Sequence, residues 1–172
     1  MFKSIRNAFK VKELRGKILY TFMMLVVIRF GSQLPIPGIE TSFFADWFAR
    51  QTTNAFGFFN AMTGGSFSSM SIFALSITPY ITSSIIIQLL TIAIPRLEEL
   101  QKDGEDGRKK IQEYTRYTTV GLALFESAAM AIGFGRQGLL LDYNVGNIIV
   151  AVVTMTTGSA LLMWIGEQIT EK

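Results

Sequence analysis

The chain has 172 residues, 49% of them hydrophobic and only 17% charged, with a formal net charge of +3. A soluble domain carries about 25% charged residues, so the composition argues against one, and a charge of +3 is too small to argue nucleic-acid binding by itself. Cysteine and histidine are both absent, which excludes a disulfide framework and a thiolate metal site and removes the commonest general base.

Residues 1–17 carry Lys3, Arg6, Lys10, Lys12, Arg15 and Lys17 against Glu13 alone. Phe2, Ile5 and Phe9 recur among them at helical spacing. The segment is either an amphipathic helix lying in the membrane interface or a plain topogenic charge cluster. A cleaved signal peptide is not expected, because the basic region is long and no small-residue cleavage site follows.

The first apolar run, 18–34, is read as an uncleaved crossing stopped by Pro35 and Pro37. An α-helix rises 1.5 Å per residue, so about 20 apolar residues cross a ~30 Å hydrocarbon layer. Arg29 lies only ~8 Å from the end of this run. Snorkelling to the interface is its expected role, with contact to other helices as the alternative. The connection 35–69 groups Phe43, Phe44, Trp47 and Phe48 as an interfacial aromatic patch would.

Between Arg50 and Arg96 there is no Asp, Glu, Lys or Arg. This stretch is too long for one crossing, and it divides itself. Its first part is rich in Gly, Ser and Phe and broken at Gly64-Gly65, which predicts a short half-helix, since glycine penalises a helix by about 1 kcal/mol. Irregular backbone at membrane depth needs protein or a wet cavity around it. From Met70 the run is densely apolar, and 70–94 is read as the second crossing. In it Ile77, Ile81 and Ile85 form one stripe at i, i+4, i+8, Ser76, Thr78, Thr82, Ser83 and Ser84 suit close helix packing, and Pro79 predicts a bend. Gln88 places an amide near the far end.

Residues 95–116 invert this character, mixing Arg96, Lys102, Arg108, Lys109 and Lys110 with six carboxylates around two Asp-Gly turn dipeptides, which predicts a solvated loop. A third crossing is expected at 117–134. Its Glu126 is a carboxylate ~14 Å deep, either functional or neutral and hydrogen-bonded. A short loop, 135–144, leads to a fourth crossing at 145–166, and 167–172 closes the chain. The Lys/Arg excess lies in 1–17 and 95–116, whereas the 35–69 and 135–144 loops hold one arginine each, Arg50 and Arg136. By the positive-inside rule both termini face the cytoplasm.

An enzyme is not expected. No Ser/His pair can be built, and Asp46, Asp103, Asp106 and Asp142 all fall in loops. The glycine pairs lack the lysine and the strand–helix context of a phosphate loop. No metal site or cofactor is expected.

Three long stretches, 10–39 (KVKELRGKILYTFMMLVVIRFGSQLPIPGI), 58–90 (FFNAMTGGSFSSMSIFALSITPYITSSIIIQLL) and 95–120 (PRLEELQKDGEDGRKKIQEYTRYTTV), resemble, in this order, the bacterial SecY family of pore subunits of the Sec protein-translocation channel. The resemblance spans essentially the whole chain. It implies an all-α membrane fold of ten crossings in two inverted halves, of which this sequence looks like the first four crossings and the plug. It further implies that Phe59, Asn60, Ala61, Met62, Thr63, Gly64, Gly65 and Ser66 belong to the plug that closes the resting pore. An isoleucine stripe taken alone more often serves packing than a pore, but Ile77 and Ile81 match the family's apolar pore ring, and the resemblance revises that reading. Gln88 and Glu126 fall on helices of the lateral gate, where Glu126 departs from the neutral polar residue expected. A ring of flexible apolar side chains blocks water and ions yet parts around a chain of any sequence.

The implied function is passage of unfolded polypeptides across, and membrane helices into, the bacterial inner membrane. The implied partners are SecE and SecG subunits, the SecA motor ATPase or the ribosome, signal peptides and nascent chains, and the lipid bilayer. The alternatives are a complete four-helix solute or ion transporter, for which only Glu126 and a few hydroxyls would serve at the midplane, or a translocon fragment held by an insertase or chaperone.

Overall fold

A computed structural model describes residues 12–50, 57–58, 60–61 and 63–171. Phe2, Ile5 and Phe9 of the basic segment, and Phe59 and Met62 of the glycine-rich stretch, lie outside the described residues. The elements, in order, are helix α1 (Lys12–Gly31), α2 (Thr41–Arg50), α3 (Thr78–Ala93), α4 (Pro95–Lys102), α5 (Gly104–Phe134), a π-helical turn (Gly135–Leu139) and α6 (Val145–Glu171). Two helical stretches, Gly104–Leu139 and Val145–Glu171, are long and apolar enough to cross a membrane, and α3 with α4 makes a third candidate bent by 102°. The protein is an all-α membrane protein.

Several boundaries differ from the sequence expectation. The apolar run from Met70 is not helical until Thr78, and the residues before it form successive turns. Met70 and Ser76 hold positive φ values of 42° and 54°, conformations that break a helix at both ends of this segment. Pro79 therefore does not bend a running helix. It sits in the first turn of α3, where its missing N–H costs nothing. The sharp break comes instead at Ile94 and Pro95, where extended backbone at Ile94 separates α3 from α4.

The charged stretch expected as a loop is mostly helical. Its Glu, Lys, Arg and Gln residues are good helix formers on an exposed surface, so α4 and the first turns of α5 make a helical hairpin. Gly104 turns the corner with φ of 76°. At Gly107 a Cβ would come within 1.7 Å of the Leu100 carbonyl oxygen, so only glycine allows the two helices to meet there.

The packing centre is the α5–α6 pair, the most extensive helix contact among the described residues. Thr115, Thr119, Ala123, Ser127 and Ala131 form a buried stripe of small residues at four-residue spacing along α5. α6 buries Ala151, Met155, Thr156, Gly158, Ser159 and Leu162, with Gly158 and Ser159 turned to residues 72–76. The Ser127 and Thr156 hydroxyls meet across this seam at 3.0 Å. On its other side α5 receives α3, which buries Pro79, Ser83, Ile87 and Thr91.

The connection between α1 and α2 is stitched to both neighbours. Ile36 N–H donates to the Met70 carbonyl and Ile72 N–H to the Leu34 carbonyl. Glu40 N–H donates to the Leu139 carbonyl, and Leu141 N–H to the Gly38 carbonyl. Below these pairings Ile36, Ile39, Phe67, Met70, Leu75, Leu139 and Met155 form one buried cluster. Phe43 and Trp47, expected at an interface, pack partly buried against it, with the Trp47 ring edge-on to Phe134 at 5.4 Å.

Close backbone approach and burial at two positions give two predictions. A Cβ at Gly158 would lie 1.9 Å from the Ile72 carbonyl oxygen, whereas Gly146 on the same helix has open space. Gly158→Ala should therefore destabilise the fold by about 1–3 kcal/mol in denaturant unfolding of the detergent-solubilised protein, and Gly146→Ala should not. The buried Ser83 hydroxyl has no hydrogen-bond partner, so Ser83→Ala should be neutral or stabilising by up to about 1 kcal/mol in the same assay.

Candidate functional site

The non-helical segment 71–77 places Ile77 at the N-cap of α3, and from there the site can be assembled. Three elements converge on this point: the last turns of α1, the glycine turn at 63–66, and the C-terminal third of α6. They enclose a cavity of ≈ 380 Å³ whose walls include Leu25, Ile28, Phe73, Ile77 and Leu162. Close approach is possible because α1 ends on glycine. A Cβ at Gly31 would fall 2.3 Å from the buried Phe73 ring.

Ile77 belongs to two cavities. A second space of ≈ 260 Å³ lies between Ile77, Tyr80, Gln112, Met163, Glu167 and Thr170. Ile77 and Gly166 line both, so the Ile77 side chain stands between an apolar chamber on the glycine-turn side and a more polar one beside Gln112 and Glu167. Gly166 lies beside the tip of Ile77, where a Cβ would make an ordinary contact at 3.6 Å. One turn further along α3, Ile81 is 49% exposed and Ile85 52%. The predicted stripe is thus the face of α3 turned away from α5, with Ile77 at its covered end.

The expected half-helix is a short helical piece, with Asn60 and Ala61 helical, followed by a tight turn. Gly64 and Gly65 both adopt positive φ, 62° and 85°, which favours glycine at each. Asn60 organises the turn: its carbonyl accepts from Gly65 N–H, and its side-chain oxygen accepts from Ser68 N–H. Arg29 does not simply snorkel. Its Nη1 donates to the Gly64 carbonyl at 2.7 Å.

The structure does not bring Gln88 and Glu126 together. Glu126 is half-buried beside a pocket of ≈ 300 Å³ with Phe67, Leu75, Thr78, Phe125 and Met130. Gln88 lies ~15 Å further along α3 by helical rise, exposed and bonded to the Ser84 hydroxyl.

Sequence reasoning missed one charged cluster altogether. Glu167, expected in a closing cytoplasmic segment, is 8% exposed within α6. It accepts from Arg116 Nε and Nη2, each at 2.8 Å, and from Gln112 Nε2 at 3.3 Å. The available signal was the placement of these groups, with Gln112 and Arg116 on one face of α5 at i, i+4 and a carboxylate just past the apolar run of α6.

A protein-family model described as SecY matches residues 71–172, more than half of the chain. The chain belongs to the SecY family. It is 44% identical over 162 residues to the protein translocase subunit SecY of Pseudomonas aeruginosa, covering 94% of this chain and 37% of that protein. The Escherichia coli K12 protein of the same name is 46% identical over 164 residues, with 93% and 37% covered. That of Corynebacterium glutamicum is 43% identical over 180 residues, with 98% and 41% covered. The chain thus spans about two-fifths of the length of these SecY relatives.

The Glu167 cluster yields a prediction independent of transport. Removing the carboxylate leaves a partly buried guanidinium and an amide without their acceptor, at a cost of about 1–3 kcal/mol. Glu167→Ala should lower the unfolding midpoint accordingly, while Arg116→Lys, which keeps one donor, should lose less. Equal loss in both would mean that the forked geometry, not the charge, holds α5 to α6.

Proposed function

We propose that the chain is the N-terminal portion of a protein-conducting channel that moves unfolded polypeptides across, and membrane helices into, the bacterial inner membrane. In this reading α1, α3, α5 and α6 are four crossings, with both termini cytoplasmic. The glycine turn with Asn60, Ala61, Thr63, Gly64, Gly65 and Ser66 is the plug. Ile77 and Ile81 are this chain's share of the pore ring, and α3 and α5, carrying Gln88 and Glu126, form one side of the lateral gate. The partners are SecE and SecG subunits, signal peptides, and the SecA motor ATPase or a ribosome, which supplies the energy.

The observation that carries this reading is the position of Ile77. It stands between two cavities with the glycine turn on the far side of one of them. A flexible apolar group is suited to a constriction because it offers no hydrogen bond to hold a passing chain and seals when none is present. The exposure of Ile81 continues that surface on a face the chain itself leaves uncovered.

The test is cross-linking in the assembled translocase. The sequence holds no cysteine, so single-cysteine probes at Ile77 and Ile81 report on those positions without background from this chain. Each should cross-link to a secretory polypeptide arrested in transit, and a probe at Phe22, on the exposed face of α1, should not. Absence of adducts at both isoleucines would overturn the assignment. The 172-residue chain alone, reconstituted with the motor ATPase and a secretory substrate, should give no protease-protected product, because four crossings wall only part of a pore.

A further inference from the structure

Much of the backbone of the glycine turn is satisfied locally among the described residues. Within it the carbonyls of Asn60, Ala61, Thr63, Gly65, Ser66 and Phe67 all accept from residues of the same segment. Gly65 alone takes the Ser69 N–H and the Ser68 and Ser69 hydroxyls. The Gly64 carbonyl instead takes its hydrogen bond from Arg29, 35 residues away in the last turn of α1.

We propose that Arg29 is a positioning residue that seats the plug, holding the Gly64 carbonyl against α1 in the closed state and releasing it on opening. This inference rests on the plug reading of residues 60–66 given above. The fit is close on both sides. A Cβ at Gly64 would lie 3.2 Å from Arg29 Nη1, so the guanidinium fills the space a side chain would take, whereas Gly65 has open space around it and needs glycine only for its backbone angle. The contact lies at the exposed edge of the chamber that Leu25, Ile28, Phe73, Ile77 and Leu162 line, and its ionised donor makes it a charge-assisted bond.

The acceptor is a neutral carbonyl rather than a carboxylate, so breaking the bond leaves no second charge stranded. That suits a contact made and broken in each cycle. The C-terminal flank of the turn stays tied, because Ile36 N–H donates to the Met70 carbonyl and Ile72 N–H to the Leu34 carbonyl. The turn therefore has a fixed end to pivot on and, in the Arg29 bond, a tether to α1.

The experiment uses the complete translocase in vesicles, with two readouts: resting leak of a trapped small anion, and the distance between spin labels at Leu25→Cys and Thr63→Cys. Arg29→Ala and Arg29→Gln, which lose the charge and the reach, should lengthen and broaden the label distance and raise the leak roughly tenfold, the equivalent of one charge-assisted hydrogen bond. Arg29→Lys should recover most of both. If Arg29→Ala does not accumulate, Arg29→Gln carries the test alone. An unchanged distance and leak in Arg29→Gln overturns the proposal. Deletion of residues 60–66 separates the two failures: if it raises the leak while Arg29→Gln does not, the plug stands without its latch, and if it leaves the leak unchanged, the plug reading itself falls.

Discussion

The contact on which the structure turns is the approach of α6 to the backbone of residues 71–77. At Gly158 the helix comes so near that a methyl group would collide with the Ile72 carbonyl oxygen, and one residue on, the Ser159 hydroxyl donates to the Ser76 carbonyl at 3.1 Å. Non-helical backbone within a bilayer is tolerated only where protein or a wet cavity surrounds its polar groups. Here α6 covers one side, the 34–36 strand-like pairing covers another, and a buried apolar cluster that includes Met70, Ala74 and Leu75 fills the space beneath. The irregular segment is thus affordable, and it decides where α3 begins and where Ile77 points.

That contact is held in place by packing of a kind lipid favours. Apolar helices gain little from burying apolar surface when lipid tails are equally apolar, so close backbone approach and hydroxyl contacts between small residues take over. The α5 stripe from Thr115 to Ala131 provides both, with Thr115 and Thr119 returning their hydroxyls to the preceding turn and Ser127 reaching Thr156. At the α4–α5 end the Arg116–Glu167 pair fixes the register of the same two helices. Small residues in the middle and an ion pair at the end make α5 and α6 a rigid frame on which α3 rests.

What the sequence made visible was set by which signals stand out in one dimension. Uninterrupted apolar runs and the glycine pair announce themselves, so the helical membrane character and the break at Gly64-Gly65 were readable. The Thr115–Ala131 stripe is equally periodic, but it is weakly hydrophobic and lies partly in a charged region, so a search for apolar runs passes over it. Residues 71–77 are the converse case: densely apolar, hence read as helix, yet turned by Met70 and Ser76 at φ values that composition does not reveal. The charged residues at 95–116 suggested a loop because charge correlates with solvent, while their helix propensity favoured the hairpin that forms. Arg29 was hardest of all, since its acceptor is a backbone carbonyl and leaves no mark on the sequence.

The same frame constrains how a path through this protein is able to open. α3 is gripped by α5 along Pro79, Ser83, Ile87 and Thr91, and three of those contacts are small or ring-locked side chains with little freedom to repack. Its opposite face, with Ile81, Ile85, Leu89 and Ile92, is bare. Motion that kept α3 on α5 would cost the seam nothing and would change only what meets the bare face, whereas motion of α3 away from α5 would expose a buried serine, a threonine and a proline to lipid. In the proposed channel the gate therefore parts along the Ile81 face, α3 and α5 travelling together. The glycine turn then has to move independently of them, which a releasable Arg29 bond to α1 and a fixed end beside Leu34 allow.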